Sequence, residues 1–186
     1  MVLAGGQARR MDGIDKALVE IGGVTMLDRV LGAAAPNCDV LVVVGPRRPT
    51  RFGGVVFTTE PEPGGGPVPA VAAGLEELSG VSEVVVLAVD LPLLEGEHVA
   101  MLFAGLDDET VDAVAAADDR GRPNPLLAAY HGDVLRDALA VLGPDVPAGR
   151  MLPDSTAVVE LGEAGRLNVN QRDELDRARR LLPPAP

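Results

Sequence analysis

The sequence predicts an α/β fold, a mostly parallel central sheet with helices on both faces, from three observations. Short valine-rich runs alternate with helix-like segments along the whole chain. Apolar residues make up 47% of the sequence but aromatic residues only 2%, so the core must be built from Val, Leu, Ala and Ile. Glycine-rich or acidic loops follow the apolar runs, and in open α/β sheets ligands bind at the carboxyl ends of the strands. The 186 residues suit one domain, assigned to 1–182, with the Pro-Pro-Ala-Pro stretch 183–186 read as a frayed tail. No repeat and no interdomain linker is visible.

Taken in order, strands are expected at 2–4, 40–44, 55–58, 84–89, 113–116, 126–130 and 157–161. Helices are expected at 26–35, 67–78, 97–104, 132–142, 148–152 and 172–182. Thr25 can cap the first helix, because its hydroxyl accepts an orphan N–H. Pro67 and Pro69 fall in the first turn of the second, where missing donors cost little. Gly143-Pro144 stops the fourth. Two polar stretches, 60–66 and 118–125, read as long functional loops. The loop after the first strand, the 60–66 loop and Asp90 all follow strands and should converge on one sheet edge.

Charge and composition exclude several function classes. The net charge of −12 and the absence of tryptophan argue against a nucleic-acid partner. Residues 1–51 nevertheless carry seven cations against five acids, so an anionic ligand meets its least hostile surface there. Cys38 stands alone and is expected to be a buried free thiol, with no disulfide framework and no cysteine-based metal site. No apolar run reaches membrane-spanning length and no leader peptide is visible, which predicts a cytoplasmic protein without membrane partners. The chain begins inside its first strand, which predicts a native start a few residues upstream. His98 and His131 are expected at helix starts, solvated and without a role. Ser79, Ser82 and Ser155 lack a nucleophile-elbow context.

The most informative segment is Leu3-Ala4-Gly5-Gly6-Gln7-Ala8-Arg9-Arg10-Met11-Asp12-Gly13-Ile14-Asp15-Lys16. Lys16 is the only lysine; the other fifteen cations are arginines. Lysine is a compact point charge on a flexible stem, whereas arginine is a planar fork. Two arginines, glycines and that lysine just after a strand suit a loop that wraps phosphates with N–H groups and neutralises them. The competing reading is a tight turn with solvated cations. The segment is neither a Walker A loop nor a dinucleotide fingerprint.

Asp90 ends an apolar strand, and Pro92 biases Leu91 toward an extended conformation that fixes the carboxylate at the strand end. It reads as a ligand for a hard cation or as a turn-stabilising aspartate. Gly64-Gly65-Gly66-Pro67 allows close backbone approach to a ligand, or is a flexible turn before a helix. Asn168 and Asn170 alternate around Val169 and share a side, which suits a polar ring or a turn capped by Asn170.

The first segment resembles the signature loop of the molybdenum-cofactor guanylyltransferases and their nucleotidyltransferase relatives. Pro63-Gly64-Gly65-Gly66-Pro67, Val89-Asp90-Leu91-Pro92 and Asn168-Val169-Asn170 agree with that family, in its order, and together the motifs span almost the whole chain. The resemblance implies a Rossmann-like nucleotidyltransferase domain that moves GMP from GTP to molybdopterin with Mg²⁺, releasing pyrophosphate. It implies Lys16, Arg10 and Asp90 as catalytic residues, with Asp90 on the metal. Leu3, Ala4, Gly5, Gly6, Arg9, Lys16, Glu60, Gly65, Gly66 and Pro67 would bind the nucleotide, and Asn124, Arg150, Asn168 and Asn170 the acceptor. Asp12, Asp15 and Glu60 are the candidates for a second metal carboxylate. Molybdoenzymes or their chaperones would receive the product.

Two positions depart from the family. Asp12 stands where relatives commonly have glycine, and Gly45-Pro46 where some have an asparagine near the base. The Leu3-Ala4-Gly5-Gly6 form resembles the GTP-using branch rather than the CTP-using one. The alternatives are CMP transfer to molybdopterin, nucleotidyl transfer to a sugar phosphate, or a non-catalytic protein that binds nucleotide and molybdopterin.

Overall fold

A computed structural model describes residues 1–5, 15–62 and 64–182. The strands are β1 (Val2–Leu3), β2 (Glu20–Ile21), β3 (Val24–Thr25), β4 (Val42–Val44), β5 (Val56–Thr58), β6 (Glu83–Ala88), β7 (Ala113–Ala117), β8 (Pro123–His131) and β9 (Thr156–Val159). The α-helices are α1 (Met26–Ala34), α2 (Pro67–Glu76), α3 (Gly96–Ala104), α4 (Gly132–Ala140), α5 (Gly162–Arg166) and α6 (Arg172–Leu181). Seven strands form one sheet in the order β5-β4-β1-β6-β8-β7-β9, and β2 and β3 form a separate hairpin. Only β8 runs against its neighbours; every other adjacent pair in the large sheet is parallel. The expected tail at 183–186 lies outside the described residues.

Successive strand residues point to opposite faces, and both faces here are apolar and covered. Val43, Val85, Leu87, Val114 and Leu127 pack beneath Leu27 and Leu31 of α1 and Leu102 of α3. Val42, Val44, Val86, Ala115 and Tyr130 pack beneath Val71 and Leu75 of α2 and Leu135 of α4. A third apolar cluster joins Ile21 and Met26 to Leu93, Val169, and Leu175 and Ala178 of α6. It seats the last helix beside the β2–β3 hairpin, next to the carboxyl edge of the sheet.

The expected caps form. Thr25 Oγ1 accepts the Asp28 N–H at 3.1 Å, and Pro67 opens α2. The hairpin and α5 were not expected, because two-residue strands and a five-residue helix carry no readable period. Gly22 and Gly23, both with positive φ, close the hairpin in the two-residue turn that matches strand twist. The expected loop 118–125 is shorter than read, because β8 already begins at Pro123. Pro123 and Pro125 argue against a central strand, but a register shift opposite Ala115 and Ala116 absorbs them. The Cys38 thiol is half-buried rather than buried, and desolvation raises its pKa. His98 is half-buried rather than solvated: its Nδ1 accepts the Glu95 N–H at 3.0 Å at the start of α3.

Candidate active site

The carboxyl ends of β1, β4, β5 and β6 meet around a cleft of about 780 Å³. Leu3, Ala4 and Gly5 line it from β1, Arg48 from the segment after β4, and Glu60, Gly64, Gly66 and Pro67 from the β5–α2 loop. Val89 and Asp90 line it from the end of β6, with Asp15, Lys16 and Ala17 opposite. The convergence expected from sequence is therefore what forms. Gly6, Arg9 and Arg10 lie outside the described residues.

Lys16 is the hub of the polar wall. Its Nζ donates to Asn170 Oδ1 at 2.6 Å and lies 3.5 Å from Asp90 Oδ2. Asp90 Oδ1 is buried and is the one such side-chain oxygen among the described residues without a hydrogen-bond partner. Burial pushes the Asp90 carboxyl above its ordinary range, and Lys16 opposes that rise. The Asp90 carbonyl accepts the Val169 N–H at 2.8 Å, which brings the Asn168-Val169-Asn170 segment to the strand end.

Asp15 caps the short turn that carries Lys16: its Oδ1 accepts the Ala17 N–H at 3.1 Å. Arg48 Nε donates to Asp15 Oδ2 at 2.7 Å, although the Arg48 side chain is only 9% exposed. Both Asp15 oxygens are thus engaged. Glu60 Oε1 accepts the Gly64 N–H at 2.9 Å and so shapes the glycine loop. Gly64 and Gly66 have φ of +100° and +91°, conformations that a side chain resists.

Other expected residues sit elsewhere. The Gly65 carbonyl accepts the Asp145 N–H at 2.9 Å, so that glycine is tied to the turn after α4 and does not line the cleft. Arg150 is exposed on a short turn and is also absent from the lining. Asn124 lies at the start of β8, where its Oδ1 accepts the Leu126 N–H at 3.0 Å; Leu126 lines the cleft and Asn124 does not. Asn170 reaches the cleft through Lys16, whereas half-buried Asn168 is outside the lining. Sequence reasoning singled out neither Arg48 nor Glu174. Arg48 was one arginine among fifteen, and the signal for Glu174, an acid three residues after Gln171 at a helix start, was readable.

The match to known proteins is extensive. Residues 1–157 match the MobA-like NTP transferase domain. A molybdenum cofactor guanylyltransferase of Mesorhizobium japonicum is 32% identical over 198 residues, covering 98% of this chain and 94% of that protein. The enzyme of the same name from Rhodopseudomonas palustris strain BisB5 is 34% identical over 137 residues, 70% of this chain and 65% of its own length. Among solved structures, molybdopterin-guanine dinucleotide biosynthesis protein A from Archaeoglobus fulgidus superposes with a TM-score of 0.71 at 23% identity, covering 97% of this chain and 96% of that one. The 2-C-methyl-D-erythritol 4-phosphate cytidylyltransferase of Thermus thermophilus shares the fold with the same TM-score and identity, over 97% of each chain. With the sheet order, the cleft and the lysine–aspartate pair in view, this chain belongs to the MobA-like NTP transferase domain family.

Proposed function

We propose that the protein transfers GMP from GTP to molybdopterin. The observation that carries the reading is the unique Lys16 ammonium held between Asp90 and Asn170 on the wall of a cleft floored by glycine loops. The names of the full-length relatives support the substrates. In the reaction, a terminal phosphate oxygen of molybdopterin forms a bond to the α-phosphorus of GTP. The bond from that phosphorus to the β-phosphate oxygen breaks, and pyrophosphate leaves with the electron pair. Such transfers need positioning and charge neutralisation rather than a protein nucleophile. Lys16 would neutralise the triphosphate, with Arg9 and Arg10 as its proposed partners, and the open backbone at Gly64 and Gly66 lets the nucleoside approach closely.

The residues present fit a magnesium ion. Mg²⁺ takes hard oxygen ligands and keeps several waters, so one carboxylate plus substrate phosphates suffices. Asp90 Oδ1 is an oxygen of that kind without a partner. When bound, the ion would supply charge neutralisation at the phosphates. Both Asp15 oxygens are engaged, by Ala17 and Arg48, and Glu60 Oε1 is engaged by Gly64, whereas Asp90 keeps Oδ1 without a partner; Asp12, the other candidate carboxylate, lies outside the described residues.

The test is a transfer assay with purified protein, Mg²⁺, molybdopterin and each of GTP, CTP, ATP and UTP. Formation of the guanine dinucleotide and pyrophosphate, with GTP preferred by about tenfold or more, is expected. Preference for CTP, or nucleotide binding without turnover, would overturn the reading in favour of the cytidylyl or non-catalytic alternative. No described helix is long and apolar enough to cross a membrane.

A further inference from the structure

We propose that Glu174 is a positioning residue for the transfer, acting through Asn170 on the Lys16 ammonium; this rests on the function proposed above. Glu174 Oε2 accepts two backbone N–H groups at once, from Asn170 at 2.5 Å and from Gln171 at 2.9 Å. Asn170 Oδ1 in turn takes the Lys16 ammonium at 2.6 Å, which leaves Lys16 3.5 Å from Asp90. The chain of contacts therefore runs from a helix start to the two groups that face the phosphates.

Each link has a physical reason. The segment before α6 is anchored on one side by the Val169 N–H bond to the Asp90 carbonyl and by the fully buried Val169 side chain. On the other side the Glu174 carboxylate fixes the Asn170 backbone, so the amide is presented from a rigid base rather than a loop. Asn170 is neutral. It orients the ammonium without setting a second negative charge beside it in addition to Asp90. The Glu174 charge is itself directed at N–H groups of a helix N-terminus, where a carboxylate is favourable. Glu174 is also near enough to Asp90 for its charge to oppose ionisation there, the smallest of the influences on that carboxyl.

Removing the carboxylate frees the Asn170 N–H and lets the amide wander. Lys16 is then left to Asp90, displaced from the triphosphate it is proposed to neutralise. A displacement of about an ångström in a transfer site can cost on the order of a hundredfold in rate. Glutamine at this position keeps the effect small, because one carbonyl oxygen can accept both N–H groups that Oε2 accepts.

The experiment uses the full chain as parent, Glu174→Ala and Glu174→Gln. Melting, GTP binding with Mg²⁺ and steady-state transfer at varied molybdopterin are measured on the same preparations. Glu174→Ala is expected to lower kcat for transfer by about tenfold to a hundredfold and to weaken GTP binding by clearly less, because the ammonium is displaced and not removed. Glu174→Gln is expected to restore most of the loss. Parental transfer in Glu174→Ala, equal losses in GTP affinity and transfer with lowered melting, or a Gln variant as impaired as Ala would each overturn the inference. A second readout needs no turnover. Because Lys16 is the only lysine, lysine-selective isotope labelling gives one side-chain signal. That signal should move in Glu174→Ala and stay near the parental position in Glu174→Gln. An unmoved signal overturns the inference even with a parent that turns over; a parent that does not turn over, with the signal moved, refutes the proposed function and not the positioning role.

Discussion

At the scale of single residues, rarity and place made two of them legible. Lys16 stood out as the one lysine, and Asp90 as a carboxylate ending an apolar strand. The structure puts their charged groups 3.5 Å apart on one wall. Lys16→Ala should lower both GTP affinity and turnover, and Lys16→Arg should not fully restore them, because a planar fork cannot occupy the point between Asp90 and Asn170. Parental GTP binding and turnover in Lys16→Ala, by calorimetry and transfer assay, would contradict the assignment. Asp90→Asn should keep the fold and lower Mg²⁺-dependent transfer on the order of a thousandfold, several kcal/mol of lost charge stabilisation. It should also make the free protein more resistant to denaturant at neutral pH. The folded Asp90 carboxyl titrates above the ordinary 3.8 because burial disfavours its charge. Between 3.8 and that raised value the folded protein holds a proton the unfolded chain lacks, so the parent gains stability as pH falls. The advantage of the Asn variant is therefore expected above the folded pKa and absent below 3.8. Denaturant midpoints across pH check it; a variant less stable than the parent at pH 7 would refute it.

At the scale of elements, the fold works by bringing short loops into contact. Gly45, after β4, has φ +145°, and a Cβ there would lie 2.8 Å from both the Ala4 carbonyl carbon and the Gly5 nitrogen. Both obstacles are backbone, so they cannot step aside as a side chain end can. Gly45→Ala should therefore cost about 3 kcal/mol, roughly 6–12 °C in Tm for a chain of this size, and weaken nucleotide binding by displacing Ala4 and Gly5. Calorimetric melting and GTP titration test both; a drop of under a degree would show that the loops do not need this approach. In the sequence, Gly45-Pro46 registered only as a departure from relatives. Its role is a distance between two loops forty residues apart, and no local pattern encodes that. The β2–β3 hairpin was illegible for another reason: four strand residues are too few to show alternation. Once formed, the hairpin places Ile21 against Leu175 and Ala178 of α6, and so holds the helix whose start carries Glu174 and Asn170.

At the scale of the whole molecule, a strongly acidic chain sets Lys16 and Arg48 in the wall of its cleft, both from the segment 1–51 where cations outnumber acids. If GTP binds that cleft, saturating it at about a hundred times Kd should add about 2.7 kcal/mol to stability, hence roughly 5–10 °C in Tm. CTP at the same concentration should add less, and differential scanning calorimetry with Mg²⁺ and each nucleotide reads this directly. Equal shifts would remove base selection from this cleft. What the sequence determined by itself was the layered architecture and the edge at which the site lies. Period and composition set both: apolar runs without polar alternation demand two covered faces, and parallel strands put their following loops on one side. Lys16 and Asp90, the residues proposed for phosphate and cation, were readable too, because both are locally conspicuous. Tertiary structure alone decided which of the named residues meet. It brought Asn170 onto Lys16 across 154 positions, tied Arg48 to Asp15, and turned Gly65 and Arg150 away from the cleft. Those outcomes depend on how α6, the hairpin and the loops pack against one another, and packing between distant segments leaves no periodic trace in the chain.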